Sequence, residues 1–291
     1  MLFRGFSGYP TDRGVNDPPT EPDPIVGLNK IISWSSAYNV DTYRIAFSPV
    51  LTGGTRPYVP AYVDYLLENS NLNVIVDRFH HTQNAVVDNA GWAQLTQMEL
   101  ECLTRWGNNP RVLIEIINEY AYSDWHSRCQ DVITAIRNVG YNNGLVANKH
   151  SAPQAWTPFN DAVDNTYQGF HFYMDQYLPS PATAKDMMTA AIAAGVTKLV
   201  NTEIGADVSE APFTQELVNK LNDFLRWCRD PTRNIGNNVW LATATNNLTR
   251  SGGYEQCGGL DFGAPPPPPK KKYVFSHWQD GDTNPEKHIV V

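Results

Sequence analysis

The sequence predicts an α/β protein, specifically a (β/α)₈ TIM barrel, on three observations. The chain has 291 residues, which is enough for one barrel domain of ordinary size. Its first 260 residues alternate short β-branched runs with longer amphipathic stretches, a pattern typical of a parallel sheet covered by helices. Eight strand candidates can be identified, and eight parallel strands close such a barrel.

Each strand candidate is a short run, largely apolar, with polar residues near its carboxyl end. The eight cover residues 2–8, 42–48, 73–79, 112–119, 144–150, 169–173, 198–205 and 238–245. Amphipathic periodicity predicts helices near residues 24–38, 57–69, 91–107, 123–139, 183–194 and 209–229. Several of these begin at Asp, Ser, Pro or Thr and end at Gly or Asn, as helix caps require. No long helix is evident in 151–168, which makes this the weakest of the predicted connections.

A run of five prolines follows the predicted barrel domain, which spans residues 1–262. Pro265–Pro269 precede three lysines, and this composition predicts an extended, solvated spacer over residues 263–272. Residues 273–291 alternate apolar and polar positions, which indicates a hairpin too short to bury a core by itself. Through its FxHWxDGDTNP stretch this tail resembles the start of a small β-repeat of bacterial secreted and surface proteins. We expect it to take no part in catalysis.

Composition and charge exclude several classes of protein. The formal net charge is −8, from 22 basic and 30 acidic side chains, so nucleic acid is not an expected partner. No apolar run approaches the ~20 residues that cross a bilayer, and the first eight residues lack the features of a secretory signal. The four cysteines show no CxxC spacing, so neither a zinc cluster nor a disulfide framework is indicated. Cys102, Cys129 and Cys228 are expected to be buried thiols.

Two glutamates follow apolar strands at the end of the barrel where enzymes of this fold carry their chemistry. The fourth strand candidate leads into Asn118-Glu119, and the seventh leads into Glu203. A carboxylate at the end of an apolar strand is costly to bury alone, so each needs a counter-ion or a function. Either glutamate by itself is best interpreted as a structural group beside an arginine, whereas two at matching depth favour catalysis.

These residues carry a resemblance to a known family. Asn118-Glu119, with Glu203 in a Thr-Glu-Ile-Gly context, resembles the retaining β-glycosidases of clan A over residues 1–260. The likeness is closest to glycoside hydrolase family 5, which contains cellulases and β-mannanases. Further positions match in strand order, and they are Arg44, either His80 or His81 after Asp77, and His171-Phe172-Tyr173.

The resemblance implies a role for each matched position. Glu119 would be the general acid/base and Glu203 the nucleophile. Asn118 would bind the sugar 2-hydroxyl, while Arg44 and Tyr173 would contact the nucleophile. The histidines implied to lie beside the sugar are His171 and either His80 or His81.

General chemistry alone describes how two such carboxyl groups would cleave a glycosidic bond. Retention at the anomeric carbon needs two carboxyl groups ~5–5.5 Å apart, one to attack and one to protonate the leaving oxygen. Arg44 beside Glu203 would favour its charged form, and that charge would raise the pKa of Glu119. Attack neutralises Glu203, after which Glu119 becomes more acidic and serves as the base toward water. No metal or other cofactor is expected, since the histidines show neither HxH nor HExxH spacing.

Other side chains are interpreted as follows. An arginine on a strand is also a common structural ion-pair partner, but one pointing at the barrel rim favours an anion there. Asp77 is expected to be a structural hydrogen-bonding group. Trp156, after the fifth strand, is the expected platform for a sugar ring, with Trp125 on the other side of the scissile bond. The tryptophans within helical patterns are expected in the core, and they are Trp34, Trp92, Trp106 and Trp227.

Two positions depart from the family pattern. Tyr120 stands where proline usually follows the acid/base glutamate, which would alter the loop on the leaving-group side. The eighth strand ends in Ala244-Thr245-Asn246, without the tryptophan that normally floors the sugar site.

The sequence therefore predicts a retaining β-glycoside hydrolase without a cofactor. We expect it to cleave a β-linked oligo- or polysaccharide internally, either a glucan or a mannan, outside the cell and as a monomer. The alternatives are a transglycosylase with the same two glutamates, a non-catalytic glycan-binding barrel and a metal-dependent barrel hydrolase.

Overall fold

Parallel strands form a single sheet in the computed structural model, which describes residues 4–8, 24–46, 59–77, 87–149, 155–173, 181–207, 215–233, 235–242 and 261. The strands are β1 (Arg4–Gly8), β2 (Thr42–Ala46), β3 (Asn73–Asp77), β4 (Val112–Glu115), β5 (Gly144–Lys149), β6 (Thr166–Phe170), β7 (Phe172–Tyr173), β8 (Val200–Asp207) and β9 (Gly236–Ala242). Their order in the sheet is β6-β5-β4-β3-β2-β1-β9-β8-β7.

The sheet closes on itself because β6 and β7 are two halves of one strand, interrupted at His171. The first half pairs with β5 and the second with β8, and a bridge from Gln168 to Leu199 joins the first half to the start of β8. At Gly169 a Cβ would lie 2.0 Å from the carbonyl oxygen of Val200, so only glycine permits this close approach. The predicted eight-stranded barrel is thus confirmed.

Six helices pack around the barrel in the part of the chain that the structure describes. They are α1 (Pro24–Ala37), α2 (Val59–Asn69), α3 (Asn89–Trp106), α4 (Trp125–Asn138), α5 (Pro181–Ala193) and α6 (Gln215–Cys228). Each forms where amphipathic periodicity predicts it, because its apolar stripe must be buried against the sheet. The side chain of Asp88 accepts a hydrogen bond from the Gly91 amide at 2.8 Å and so caps α3.

Residues 157–161, in the described part of the connection between β5 and β6, form neither helix nor strand. This segment lies along α4 and is held by side chains of that helix. His126 Nε2 donates to the carbonyl of Thr157 at 3.0 Å, and the amide of Gln130 exchanges two hydrogen bonds with the backbone of Asn160, at 2.9 and 2.8 Å. We call this segment the strap; side chains of α4 bond the carbonyl of Thr157 and both backbone groups of Asn160.

The strap ends in a buried ion pair. Arg137 donates to both carboxylate oxygens of Asp161, at 2.8 and 3.0 Å, and the side chains are only 8% and 4% exposed. Asp161 also accepts from the amides of Val163 and Asn165 and from the hydroxyl of Thr166. Burial would raise the pKa of Asp161, but these donors hold it well below its usual range. The start of β6 is therefore anchored to α4.

Other predictions concern the periphery of the barrel. Cys102, Cys129 and Cys228 are buried free thiols, as predicted. None of the described helices is long and apolar enough to cross a membrane. The predicted spacer and tail, residues 263–291, lie outside the described residues.

Candidate active site

The two glutamates singled out in the sequence come together at the carboxyl ends of the strands. A carboxylate oxygen of Glu119 and one of Glu203 lie within 4.8 Å of each other. Both residues are nearly buried, at 8% and 4% exposed. Glu119 follows β4 by four residues and Glu203 lies within β8, so the barrel brings together side chains that are far apart in sequence.

Arg44, on β2, is the cation around which the site is arranged. It is fully buried and donates to four side chains among the described residues. Nε donates to Glu115 at 2.5 Å, Nη1 to Glu203 at 3.1 Å, and Nη2 to Asp77 at 2.9 Å and to Asn118 at 2.6 Å. Burial alone would lower the pKa of Arg44, but the three carboxylates raise it. The predicted contact between Arg44 and Glu203 is present, and Asp77 is a hydrogen-bonding group as expected.

Asn118 is oriented by the same arginine. Its Oδ1 accepts from Arg44, while Nδ2 has no hydrogen-bond partner among the described residues. An unsatisfied buried donor costs about 1–3 kcal/mol, which a ligand hydroxyl can recover. A sugar-binding amide requires such a fixed acceptor side and an available donor.

His171, at the break between β6 and β7, joins the two glutamates. Its Nδ1 lies 3.1 Å from Glu119 Oε1 and 3.7 Å from Glu203 Oε2, and its Nε2 lies 2.9 Å from Thr202 Oγ1. Burial would lower the pKa of His171, but the charge of Glu203 and the contacts with Glu115 and Glu119 raise it to about 9. The imidazole is therefore protonated near neutral pH.

The interpretation of His171 as a sugar-binding residue needs correction. Both ring nitrogens are engaged by protein side chains, and the side chain has no exposed surface. It therefore has no donor left for a substrate hydroxyl. Its position supports Glu119 instead.

Glu115 is a site residue that the sequence reasoning missed. It is the last residue of β4, fully buried, and accepts from Arg44 on Oε2 and from Thr202 on Oε1 at 2.8 Å. Burial would raise the pKa of Glu115, but Arg44 and His171 outweigh this and lower it to about 2. A signal was present, because a glutamate inside the run Val112–Ile117 is a buried carboxylate that needs partners.

A bulge in β8 aims two consecutive side chains into the barrel. Asn201 and Ile204 pair with Asn237 and Val239 of β9, so three steps along β8 match two along β9. Side chains normally alternate between the faces of a strand, yet Thr202 and Glu203 both reach the buried cluster. Bulges next to active sites commonly redirect a side chain in this way.

The backbone of Glu119 is in the left-handed region, with φ of 51°, an uncommon conformation for a residue other than glycine. The next residue, Tyr120, is 1% exposed and forms a β-bridge with Lys149. Its ring meets that of Trp92 edge-on at 5.2 Å. Tyr120 thus fixes the chain after Glu119 where the family pattern has proline.

The predictions for the tryptophans have different outcomes. Trp156 is half-buried and its ring lies 6.3 Å from that of Phe170, next to His171, so its role as a sugar platform stays a prediction. The same role for Trp125 is wrong, because this residue is 3% exposed and packs on Phe159. The helical tryptophans pack in or against the core as predicted, and they are Trp34, Trp92, Trp106 and Trp227.

Several predicted site positions fall, wholly or for their side chains, outside the part of the chain that the structure describes. Tyr173 pairs with Gly205 through its backbone in β7, close to the nucleophile candidate in the adjacent strand. His80 and His81 lie outside the described residues, as do Ala244, Thr245 and Asn246. Their roles stay predictions.

Among the described residues, Glu119, His171 and Glu203 are the group whose ligand atoms lie close enough together to hold a metal ion. A protonated imidazole has no lone pair to offer, and the raised pKa of His171 keeps its ring protonated near neutral pH. In its protonated state the ring bridges the two carboxyl groups through Nδ1, which lies 3.1 Å from Glu119 Oε1 and 3.7 Å from Glu203 Oε2.

Comparisons with known proteins show which family the chain matches. The sequence profile of cellulase, glycosyl hydrolase family 5, matches residues 44–246, while curated proteins compared by sequence yield no match. Among solved structures the fold is similar to that of XacCel5A in complex with cellopentaose, with a TM-score of 0.65 and 15% identity over 98% of this chain and 97% of that chain.

Two further structures show the same fold. ZgEngAGH5_4 in complex with a cellotriose has a TM-score of 0.67 and 15% identity over 90% of this chain and 96% of that one. The catalytic domain of the Thermobifida fusca endoglucanase Cel5A has a TM-score of 0.56 and 17% identity over 82% and 79%. Since the family profile covers well over half of its length, this chain belongs to the cellulase family, glycosyl hydrolase family 5, and is a glycoside hydrolase.

Proposed function

We propose that this enzyme cleaves β-1,4-linked glucan internally and with retention of configuration, with Glu203 as the nucleophile and Glu119 as the general acid/base. The observation that supports it most is the approach of these two carboxylates to within 4.8 Å. Retaining enzymes hold the two carboxyl groups about 5–5.5 Å apart, whereas inverting enzymes need roughly 6.5–9.5 Å to admit a water molecule.

The choice of a glucan rests on the similar structures. XacCel5A was solved with cellopentaose and ZgEngAGH5_4 with a cellotriose, and another similar structure is an endo-β-1,4-glucanase of Xanthomonas axonopodis pv. citri. These are oligomers and an activity of β-1,4-linked glucose. They favour a glucan over a mannan for this chain.

In the first step the Glu203 carboxylate attacks the anomeric carbon while Glu119 gives its proton to the departing oxygen. Arg44, 3.1 Å from Glu203 Oε2, stabilises the ionised nucleophile. The protonated ring of His171 donates to Glu119 Oε1, which leaves the other oxygen of Glu119 to carry the proton for the leaving group. The products are a glycosyl ester on Glu203 and a shortened glucan.

In the second step water hydrolyses the glycosyl ester on Glu203. The formation of the ester neutralises Glu203 and leaves a negative charge on Glu119, so the buried cluster keeps the same total charge. Glu119 then takes a proton from a water molecule while that water attacks the anomeric carbon, which breaks the ester bond and frees Glu203 as a carboxylate. Asn118 Nδ2, which has no partner among the described residues, donates to the sugar 2-hydroxyl, a contact that strengthens in the transition state.

Reducing-end assays with the purified chain test the proposal. We expect release of reducing ends from soluble carboxymethyl cellulose and little from β-mannan, with activity lost by at least about a thousandfold in Glu203→Ala and Glu119→Gln. Glu68→Gln, an exposed site on α2, is the control and should match the wild type. ¹H NMR of the first-formed product should show the β-anomer.

Three outcomes would contradict it. Normal turnover by Glu203→Ala removes the nucleophile assignment. An α-anomer as first product removes retention. If products longer than the substrate form in preference to hydrolysis, the enzyme is a transglycosylase instead.

A further inference from the structure

Three hydrogen bonds run in series from a fully buried carboxylate to the acid/base candidate. Thr202 Oγ1 lies 2.8 Å from Glu115 Oε1, His171 Nε2 lies 2.9 Å from the same hydroxyl, and His171 Nδ1 lies 3.1 Å from Glu119 Oε1. Glu115 and Thr202 are both 0% exposed. Neither can touch a substrate, so any influence on the reaction passes through His171.

The protons of the first two hydrogen bonds, between Glu115 and Thr202 and between Thr202 and His171, have only one arrangement. A carboxylate accepts and cannot donate, so the single hydroxyl proton of Thr202 is used toward Glu115. The hydroxyl oxygen must then accept from His171, which places a proton on Nε2. The pKa of Glu115, about 2, keeps that carboxylate ionised and the arrangement unchanged over the working range of pH.

We propose that Thr202 is a positioning residue that, with Glu115 behind it, fixes the Nε2–H form and the orientation of His171 and thereby aims Glu119 at the leaving oxygen. This rests on the proposed function of Glu119 as the general acid. With Nε2 committed to Thr202, the other nitrogen always faces Glu119. The bulge in β8 makes this possible, because it turns Thr202 inward beside Glu203.

The two oxygens of Glu115 serve different halves of the site. Oε2 holds Arg44, which contacts Glu203, whereas Oε1 holds Thr202 and so reaches Glu119. A change at Thr202 should therefore impair proton donation and leave the nucleophile intact. A change at Glu115 should impair both.

Aryl β-cellobiosides separate these two effects. A dinitrophenolate leaves without help from an acid, whereas a phenolate needs the proton from Glu119. In Thr202→Val, which keeps the shape and removes the hydroxyl, kcat/KM for phenyl cellobioside should fall about ten- to a hundredfold. That for dinitrophenyl cellobioside should stay within about twofold. Thr202→Ser, which restores the hydroxyl, is the matched control and should behave as the wild type on both substrates.

The outcomes are distinct. If the wild type cleaves neither cellobioside, the proposed function fails and this inference fails with it. If the wild type is active and Thr202→Val loses equally on both substrates, or loses nothing on either, positioning by Thr202 is refuted while the proposed function stands. A Thr202→Ser variant as impaired as Thr202→Val refutes it as well.

A second measurement does not depend on whether Thr202→Val folds. ¹⁵N spectra of wild-type protein labelled on the histidine rings, with His171 assigned from His171→Asn, should show a proton on Nε2 at every pH at which the protein is folded. A neutral ring with its proton on Nδ1 would overturn the inference.

Discussion

Replacing Arg44 with methionine removes the cation that, among the described residues, touches Asp77, Glu115 and Glu203 together, while keeping a side chain of similar length. Removing one partner of a buried ion pair typically costs about 3–5 kcal/mol. The pKa of Glu115 gives an independent figure, since lowering it from 4.5 to about 2 corresponds to about 3 kcal/mol in favour of the charged form, shared between Arg44 and His171. We expect the free energy of unfolding to fall by about 3–5 kcal/mol at neutral pH.

The pH dependence of this loss is the sharper test. In the wild type the lowered pKa of Glu115 contributes stability that is present above about pH 4.5 and is lost as the pH falls toward 2. In Arg44→Met burial raises the pKa of that carboxyl, so the variant is penalised most where the group would be ionised. The difference in the free energy of unfolding between wild type and Arg44→Met, measured with urea, should therefore shrink as the pH falls from about 7 to about 4.

Arg44→Lys is the control variant that keeps the positive charge but lacks the planar guanidinium group and its several donors. It should recover part of the stability, but less of the activity, because one ammonium cannot reach four acceptors at once. A difference for Arg44→Met that is below about 1 kcal/mol, or that is equal at both pH values, would refute the assignment of Arg44 as the counter-ion of the cluster.

Two further predictions concern stability. His171 has a pKa raised to about 9, so its contribution, up to roughly 3 kcal/mol, is fully present below about pH 6.5 and is lost as the pH rises through 9. Unfolding curves of wild type and His171→Asn should therefore converge at alkaline pH, and a constant separation would contradict this. Arg137→Ala should cost about 3 kcal/mol, since it leaves Asp161 unpaired in the strap, whereas Arg128→Ala on the same helix removes a half-exposed pair and should cost under about 1 kcal/mol. Equal losses in the two variants would show that the strap is not anchored by this pair.

Much of the fold could be predicted because its elements are regular. Hydrophobic periodicity depends on which face of a strand or helix is buried, and the barrel buries one face of every helix. The helix predicted at 123–139 is observed at Trp125–Asn138, and the strand predicted at 144–150 at Gly144–Lys149. Glu119 and Glu203 could be found by the same reasoning, since a carboxylate ending an apolar run is conspicuous.

The strap was beyond this kind of reasoning. Residues 157–161 have no periodicity of their own, and their hydrogen bonds go to Gln130 and Arg137 of α4. Such side chains appear in the sequence as ordinary polar residues on the outer face of an amphipathic helix. Only the tertiary structure shows that this face is covered.

Glu119, His171, Thr202 and Glu203 lie where the strands depart from regularity, which explains why the contacts of His171 and Thr202 could not be predicted. Glu119 has a left-handed backbone just after β4, His171 interrupts β6 and β7, and Thr202 and Glu203 form a bulge in β8. A regular strand places neighbouring side chains on opposite faces, so it cannot aim Thr202 and Glu203 into one cluster. A left-handed residue costs of order 1–3 kcal/mol and persists only where its surroundings impose it. Here the flanking residues do so, because Arg44 binds Asn118 and the ring of Tyr120 is buried. The charge network and the packed ring therefore hold Glu119 toward Glu203 in a conformation that its own sequence does not favour.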